Sequence, residues 1–332
     1  MPTWQDLPIF FKVCLVEKLD YKTRCDLRLC STSEKILVDC CSITFKTIKF
    51  EKSDQLSKLP RPKCIQKNLD FNFSVKEFCD YYPDTVSLKT SSFTQFLKIF
   101  ENEFSVIDRL ILKGFKNKKS QILFLKTLKQ KIRKKRENCD FQNFSLKIRC
   151  LNWNFDTKIG GETLEFLELL DDFYLNKLCI TEVIPDRIFK KLVATDHWKN
   201  LKRVLFPKEM DIPIGNFRHL ARFDIKVKHL AAKDVCEVFK PFLFKDRPRM
   251  SGFTIFHGNR ITVEEVFLHT TVPMKDEPID GVWGNCRHTQ RFKMDSKENV
   301  FILIIMDGWV CGFVGLKDNI DQEYLRFMND FF

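Results

Sequence analysis

Short β-like runs recur along the middle of this chain, separated by stretches with helical spacing, and that alternation limits the folds open to it. The runs are Val106–Leu112, Phe144–Ile148, Leu175–Ile180, Leu201–Leu205, Leu220–Ile225 and Phe253–Phe256. Between most of them lie helix-like segments: Gln121–Ile132, Gly161–Leu170, Asp186–Val193 and Ala231–Phe244. Strand, then helix, then strand at intervals of roughly 20–40 residues predicts stacked β/α units. No such unit buries its apolar face alone, so neighbours must join into one parallel sheet. Leu110, Leu112, Leu146, Ile148, Leu178, Ile180, Leu205, Phe223 and Ile225 are then expected to face the core between sheet and helices.

The expected fold class is α/β, with an irregular, leucine-rich-repeat-like curved body. The spacing is uneven and no strict repeat motif is present, so an ordinary α/β sandwich is the alternative. At 332 residues with 44% hydrophobic residues, the chain has material for a sizeable core. Phe occurs 34 times against 5 Trp and 5 Tyr, so aromatic packing should dominate that core. The end of the chain differs from the body. Asp307-Gly308 between Phe301–Met306 and Trp309–Val314 is a hairpin signal. In Asp318–Phe332, Ile320, Tyr324, Phe327 and Phe331 fall on one helical face, which predicts a helix capping the open end of the sheet.

The first 45 residues predict three short helices. Pro8 suits a first helical turn, where its missing N–H costs nothing. Ile9, Val13 and Val16 form one face, widened by Leu15 and Leu19. Asp20 is placed to cap a second helix carrying Leu27 and Cys30, and Ser31 with Glu34 has capping-box spacing for a third carrying Leu37 and Val38. Three helices in about forty residues are too few to bury a sufficient core. Their apolar surplus must meet the body or a partner.

Leu7-Pro8 opening a helix, Leu19-Asp20 at its end and Leu27-Arg28-x-Cys30-Ser31 resemble an F-box. Trp4-x-Asp6-Leu7-Pro8 and Lys18-Leu19-Asp20 are similar to nematode F-box proteins that carry an associated FTH domain. A second match lies downstream. His197-Trp198-Lys199-Asn200-Leu201-Lys202, then Pro213-Ile214-x-x-Phe217-x-His219-Leu220-x-x-Phe223-x-Ile225, resembles the FTH pattern of a Trp-Lys element followed by a His-Phe strand. Leu220 stands where that family often shows Phe, and residues after about 250 fit it less clearly. The expected domains are an F-box over 1–45, a connector over 46–69 with Lys58-Leu-Pro60-Arg-Pro62-Lys63, an FTH-like body over 70–250, and a hairpin with capping helix over 251–332.

The resemblance implies that Leu7, Pro8, Ile9, Val13, Leu15, Val16, Leu19, Leu27 and Cys30 supply a surface for a Skp-family adaptor. Through that adaptor the chain would join a Skp-cullin-RING (SCF) ubiquitin ligase and present a target protein as its substrate receptor. The alternatives are an F-box scaffold outside a ligase, or a nucleic-acid-binding repeat protein.

No phosphate loop, dinucleotide fingerprint or nucleophile elbow occurs, so a non-catalytic subunit without cofactor is expected. The six histidines lack short metal spacing, and Asp171-Asp172 and Glu264-Glu265 are adjacent acids whose side chains diverge, so neither a metal site nor an acid/base pair is predicted. The 13 cysteines include no C-x-x-C. Cys14, Cys25, Cys30, Cys179 and Cys236 sit in apolar patterns and are expected as small core residues, the usage of a reducing compartment. Asp6, Lys12 and Glu17 argue against a signal peptide, and Val300–Leu316 is interrupted by Asp307-Gly308, so a soluble protein off the membrane, cytoplasmic or nuclear or both, is expected.

One charge feature stands apart. Residues 116–136 hold ten Lys/Arg and no acid, ending in Lys131, Arg133, Lys134, Lys135 and Arg136. The net charge is +12, so only +2 is left for the rest of the chain. Ile122, Leu125, Leu128 and Ile132 predict an amphipathic helix here, running into a basic loop. The run reads as a solvated face, an import signal or a patch for an acidic substrate; nucleic acid is the least expected partner.

Overall fold

The computed structural model describes residues 3–52, 71–77, 104–113, 118–138, 144–154, 161–243, 247–270, 272–277, 286–294 and 298–329. The chain divides into two units, Met1–Asn176 and Lys177–Phe332. Each is mixed α/β, as the alternation predicts.

The first unit opens with the three expected helices, α1 (Ile9–Lys18), α2 (Tyr21–Cys30) and α3 (Thr32–Cys40). Asp20 caps α2 by accepting the Thr23 N–H at 2.6 Å. Ser31 Oγ accepts the Glu34 N–H at 3.3 Å at the start of α3. Each cap satisfies one of the orphan donors at a helix N-terminus, which is why the chain breaks into helices at these points. The helices close on a small core of Val16, Leu37, Val38 and Cys41, flanked by Trp4, Val13, Leu19 and Leu27.

Strands β1 (Ile43–Lys52), β2 (Phe71–Glu77), β3 (Ser105–Lys113) and β4 (Lys147–Asn154) follow, with α4 (Lys118–Asn138) and α5 (Gly161–Leu167). Their order in the sheet is β2-β1-β3-β4. β1 runs antiparallel to β2 and parallel to β3, and β3 is parallel to β4. The register sets Phe45, Ile107 and Ile148 in one buried row and Ile48, Leu110 and Leu151 in the next. Residues 46–52 are therefore strand, not the start of a connector; the rest of the expected connector, with Pro60 and Pro62, lies outside the described residues. A register shift between Phe45 and Thr47 breaks the two-residue period that would have marked β1. Sequence also placed β4 too early, since Leu146 makes only an isolated bridge with Leu170. α4 runs on to Asn138, so Lys131–Arg136 is helical and not the basic loop expected.

The second unit holds β5 (Lys177–Ile180), α6 (Asp186–Val193), α7 (Asp196–Asn200), β6 (Arg203–Met210), β7 (Arg222–Val227), α8 (Ala232–Leu243), β8 (Gly252–His257) and α9 (Val263–Leu268). A meander of β9 (Cys286–Lys293), β10 (Asn299–Met306) and β11 (Trp309–Leu316) and the helix α10 (Ile320–Asn329) complete it. The order is β5-β6-β7-β8-β11-β10-β9. β5 to β8 are parallel, whereas β11, β10 and β9 are antiparallel, so the expected parallel stack gives way to a meander. Met306 pairs with Trp309 across Asp307-Gly308, and Gly308 takes φ 82°, the left-handed region that suits Gly.

Aromatic rings fill this core, as the Phe count predicts. Phe189, Trp198, Phe217 and Phe206 pack together, and contacts run on through Phe223 and Phe253 to Phe301, Phe239 and Phe292. Leu205 is the exception among the expected core residues. The register aligns Leu178 with Val204 and Phe223, which turns Leu205 to the other face and leaves it half-buried. On that other face α10 packs Ile320 and Phe327 against Ile302, Ile304, Cys311 and Phe313. The terminal helix thus covers a face of the hairpin, which explains why β10 is buried almost throughout.

Candidate docking surface

α1 is apolar on both sides. Val16 is fully buried in the helical core, with Val13 and Leu19 half-buried against it. On the solvent side Phe10 is 70% exposed, Phe11 59% and Leu15 45%, while Ile9, on the Val13 and Val16 side but in the first turn, is 68% exposed. At 100° per residue Phe11 and Leu15 lie one turn apart on the side opposite Val13 and Val16. Phe10 meets Phe11 edge-on, with ring centroids 6.2 Å apart. Of the nine residues singled out from the sequence, Ile9, Leu15, Pro8 and Cys30 are exposed, Leu7, Val13, Leu19 and Leu27 are half-buried, and Val16 is inside. Phe10 and Phe11 were not singled out, because the helical-face argument followed Ile9, Val13 and Val16 around the inner side.

Arg24 holds the helices in place. It is 5% exposed, and its guanidinium donates to the carbonyl oxygens of Glu17 (2.9 Å), Leu19 (3.1 Å) and Ser42 (2.7 Å). It therefore ties the C-terminal end of α1 to the segment entering β1. Trp4 Nε1 donates to Glu34 at 3.1 Å, and Arg28 pairs with Asp39 at 2.8 Å. These bonds fix α1 while leaving its outer apolar side uncovered.

The residues that carry the downstream resemblance form core. Trp198 is 3% exposed, and its Nε1 donates to the Asn216 carbonyl at 3.3 Å. His219 Nε2 lies 2.8 Å from the Trp198 carbonyl, which bonds the two motif elements to each other. Their signature marks the fold rather than a chemical site.

The adjacent acids have structural duties. Asp171 accepts the N–H groups of Phe173 and Tyr174 at 3.0 and 3.2 Å. Glu265 caps α9 by accepting the Thr262 N–H at 3.0 Å, which holds its carboxyl below the usual range. Cys179 and Cys236 are buried as expected, while Cys30 is exposed at the end of α2. Burial pushes the Cys236 thiol up to about 11. Among the described residues no group of three His, Cys, Asp or Glu could hold a metal ion, and no helix is long and apolar enough to cross a membrane.

A pocket of ≈ 330 Å³ opens where β7 and β8 end, lined in part by Leu230, Ala231, Asn259, Arg260, Ile261 and Leu268. Carboxyl ends of parallel strands are where open α/β sheets place ligands. The Asn259 amide joins its two loops, accepting the Leu230 N–H and donating to the Leu230 carbonyl, both at 2.9 Å. Nothing in the sequence marked this pocket, since its walls come from loops 29 residues apart.

The class defined so far is a mixed α/β protein headed by three helices, the first of them apolar on its open side. Residues 118–270 match the model of the FTH domain. No curated protein matches the chain.

Proposed function

We propose that this protein is an F-box substrate receptor, docking α1 and its neighbours onto a Skp-family adaptor and so joining a cullin-RING ubiquitin ligase. The observation that carries this reading is the uncovered apolar side of α1, with Phe10, Phe11 and Leu15, in a chain whose residues 118–270 match the FTH domain model. Burying one side chain of Leu or Phe size contributes roughly 1.5–3 kcal/mol, so a few central anchors suffice for a specific contact. The β/α units of the FTH region, read as a leucine-rich-repeat-like body, would then present the target. The mechanism is proximity: a target held beside the charged conjugating enzyme reacts at raised effective concentration. The chain itself performs no covalent chemistry in this scheme and needs no cofactor, and it works in the cytoplasm, the nucleus or both.

Co-purification of the adaptor tests the reading. Wild type should retain it, and Phe10→Ser, Phe11→Ser and Leu15→Ser together should weaken retention at least about tenfold, a loss of about 1.4 kcal/mol or more. Failure of wild type to hold the adaptor where another F-box protein does would sink the assignment. Dependence of target turnover on these side chains separates a ligase receptor from a scaffold acting outside a ligase.

A further inference from the structure

We infer that the outer face of α4 is a docking site for an acidic segment of a partner protein, one that also carries an apolar side chain. Phe124, Leu125, Leu128 and Ile132 are buried and fix which side of the helix faces outward. On the outward side stand Lys126, Gln130, Lys131, Arg133 and Lys134, all exposed, with Leu123 55% exposed among them. Leu123, Lys126, Gln130 and Lys134 follow the three-and-four spacing of one helical stripe. Two other cations of the helix are already engaged. Lys129 pairs with Glu165 at 3.0 Å, and Arg136 donates to the Phe144 carbonyl at 2.6 Å.

The outer four are different. Among the described residues none of Lys126, Lys131, Arg133 and Lys134 has a carboxylate within ion-pair distance, and the next acid along the chain, Glu137, is itself exposed. Like charges three and four residues apart repel along a helix, so such a run is costly unless something answers it. The protein answers it elsewhere. On α6 Asp186 meets Lys190 at 2.7 Å, and on α7 Asp196 meets Lys199 at 2.7 Å. α4 carries no acid over residues 116–136, and among the described residues its one acid, Glu137, pairs with none of these four, so they stand open to a partner's carboxylates.

Charge and shape together select the partner. A negative segment complements the stripe, and exposed Leu123 offers an apolar contact that a phosphate backbone does not use. The excess charge is also confined to residues 116–136, since the rest of the chain carries only +2 of the net +12. A nucleic acid would need cations spread along its backbone track. The helical state of Lys131–Arg136 presents these charges as a rigid face, whereas an extended peptide signal would require unwinding the turn that buries Ile132.

Under the substrate-receptor reading, on which this inference rests, the acidic segment belongs to the target. The test uses the full chain and a labelled peptide of mixed Glu and Leu about four helical turns long. Wild type should bind it, and binding should weaken as salt rises from about 50 to about 500 mM, where screening shortens from well over ten to a few ångströms. Lys126→Glu, Arg133→Glu and Lys134→Glu together should cost about tenfold or more in affinity, while the thermal midpoint and adaptor co-purification stay as in wild type. Leu123→Ala should weaken the peptide by a smaller factor. Equal binding by the reversed variant, or no binding by wild type, overturns the inference, as does tighter binding of a single-stranded oligonucleotide of equal charge at the same salt. Adaptor retention is read separately, so a wild type that holds the adaptor but not the peptide refutes only the acidic-segment site.

Discussion

Arg222 and Asp224 sit on the same face of β7 and are both buried, a rare arrangement for charges unless they are paired. Arg222 Nε reaches Asp224 at 3.3 Å, its Nη2 donates to the Phe327 carbonyl at 2.8 Å, and its guanidinium lies 4.0 Å from the Phe327 ring centre. Burial pushes the Asp224 carboxyl up, while Arg222 pulls it back down. Removing the cation should therefore be worse than removing both. Arg222→Met is expected to cost about 3–5 kcal/mol, and Arg222→Met with Asp224→Leu appreciably less, read from urea midpoints. A single variant no worse than the double would show that an unpaired Asp224 is not what the loss of Arg222 costs. Glu323 offers a pH test on the same helix. Its carboxyl is held below the ordinary value of 4.5, chiefly by the hydrogen bond from Arg249, with Arg326 also beside it. A depressed folded value means that the contribution is full above the ordinary Glu range and fades as pH falls through the folded value. Stability of wild type should accordingly drop below about pH 4.5, and Glu323→Gln should flatten that acid limb. An unchanged acid limb in the variant would refute the role given to Glu323.

Among the elements, the three N-terminal helices depend most on one side chain. Arg24 satisfies three carbonyls at once, and hydrogen bonds to a charged donor are worth about 1.5–3 kcal/mol each. Arg24→Met should loosen α1 to α3, seen as faster amide exchange over residues 9–40, with β5 to β8 still protected. Protection unchanged over α1 would rule this out. Arg24 also shows where sequence reasoning stops. The helices themselves were legible, because Asp20 and Ser31 cap through local bonds that spacing reveals. The β/α alternation was legible for the same reason, each run carrying its own period. What joined distant positions was not. β9, Cys286–Lys293, has few apolar residues and is a strand because it pairs with β10, and its outer edge is covered by Asp276 and Glu277 accepting the N–H groups of Thr289 and Arg291. Glu323 was hidden among Ile320, Tyr324 and Phe327 because its partner Arg249 lies 74 residues away. At the docking surface, Leu15 could be read from its apolar character, but its exposure depends on which side of α1 the three-helix core takes up.

At the scale of the whole molecule, the boundary between the helices and the body falls between Cys41 and Ile43. β1 follows α3 directly and lies between β2 and β3, with Phe45 and Ile48 fully buried. The helices keep a core of their own in Val16, Leu37, Val38 and Cys41. Two truncations should therefore behave very differently. A chain starting at Ser42 keeps β1 and should retain a cooperative unfolding transition, while losing the adaptor. One starting at Phe71 also loses β1, exposing Ile107, Leu110 and Leu112 along a strand that has lost a hydrogen-bonded neighbour. Burial of Phe45 and Ile48 alone is worth roughly 3–6 kcal/mol at 1.5–3 each, a large part of the 5–15 that holds an ordinary domain together. The longer truncation should thus lose the transition of the first unit and aggregate through the opened edge of β3, while the shorter one stays monomeric and folded. Thermal melts and light scattering on the two chains distinguish these outcomes. Equal behaviour, whether both folded or both aggregated, would mean that β1 is not the element dividing helices from body.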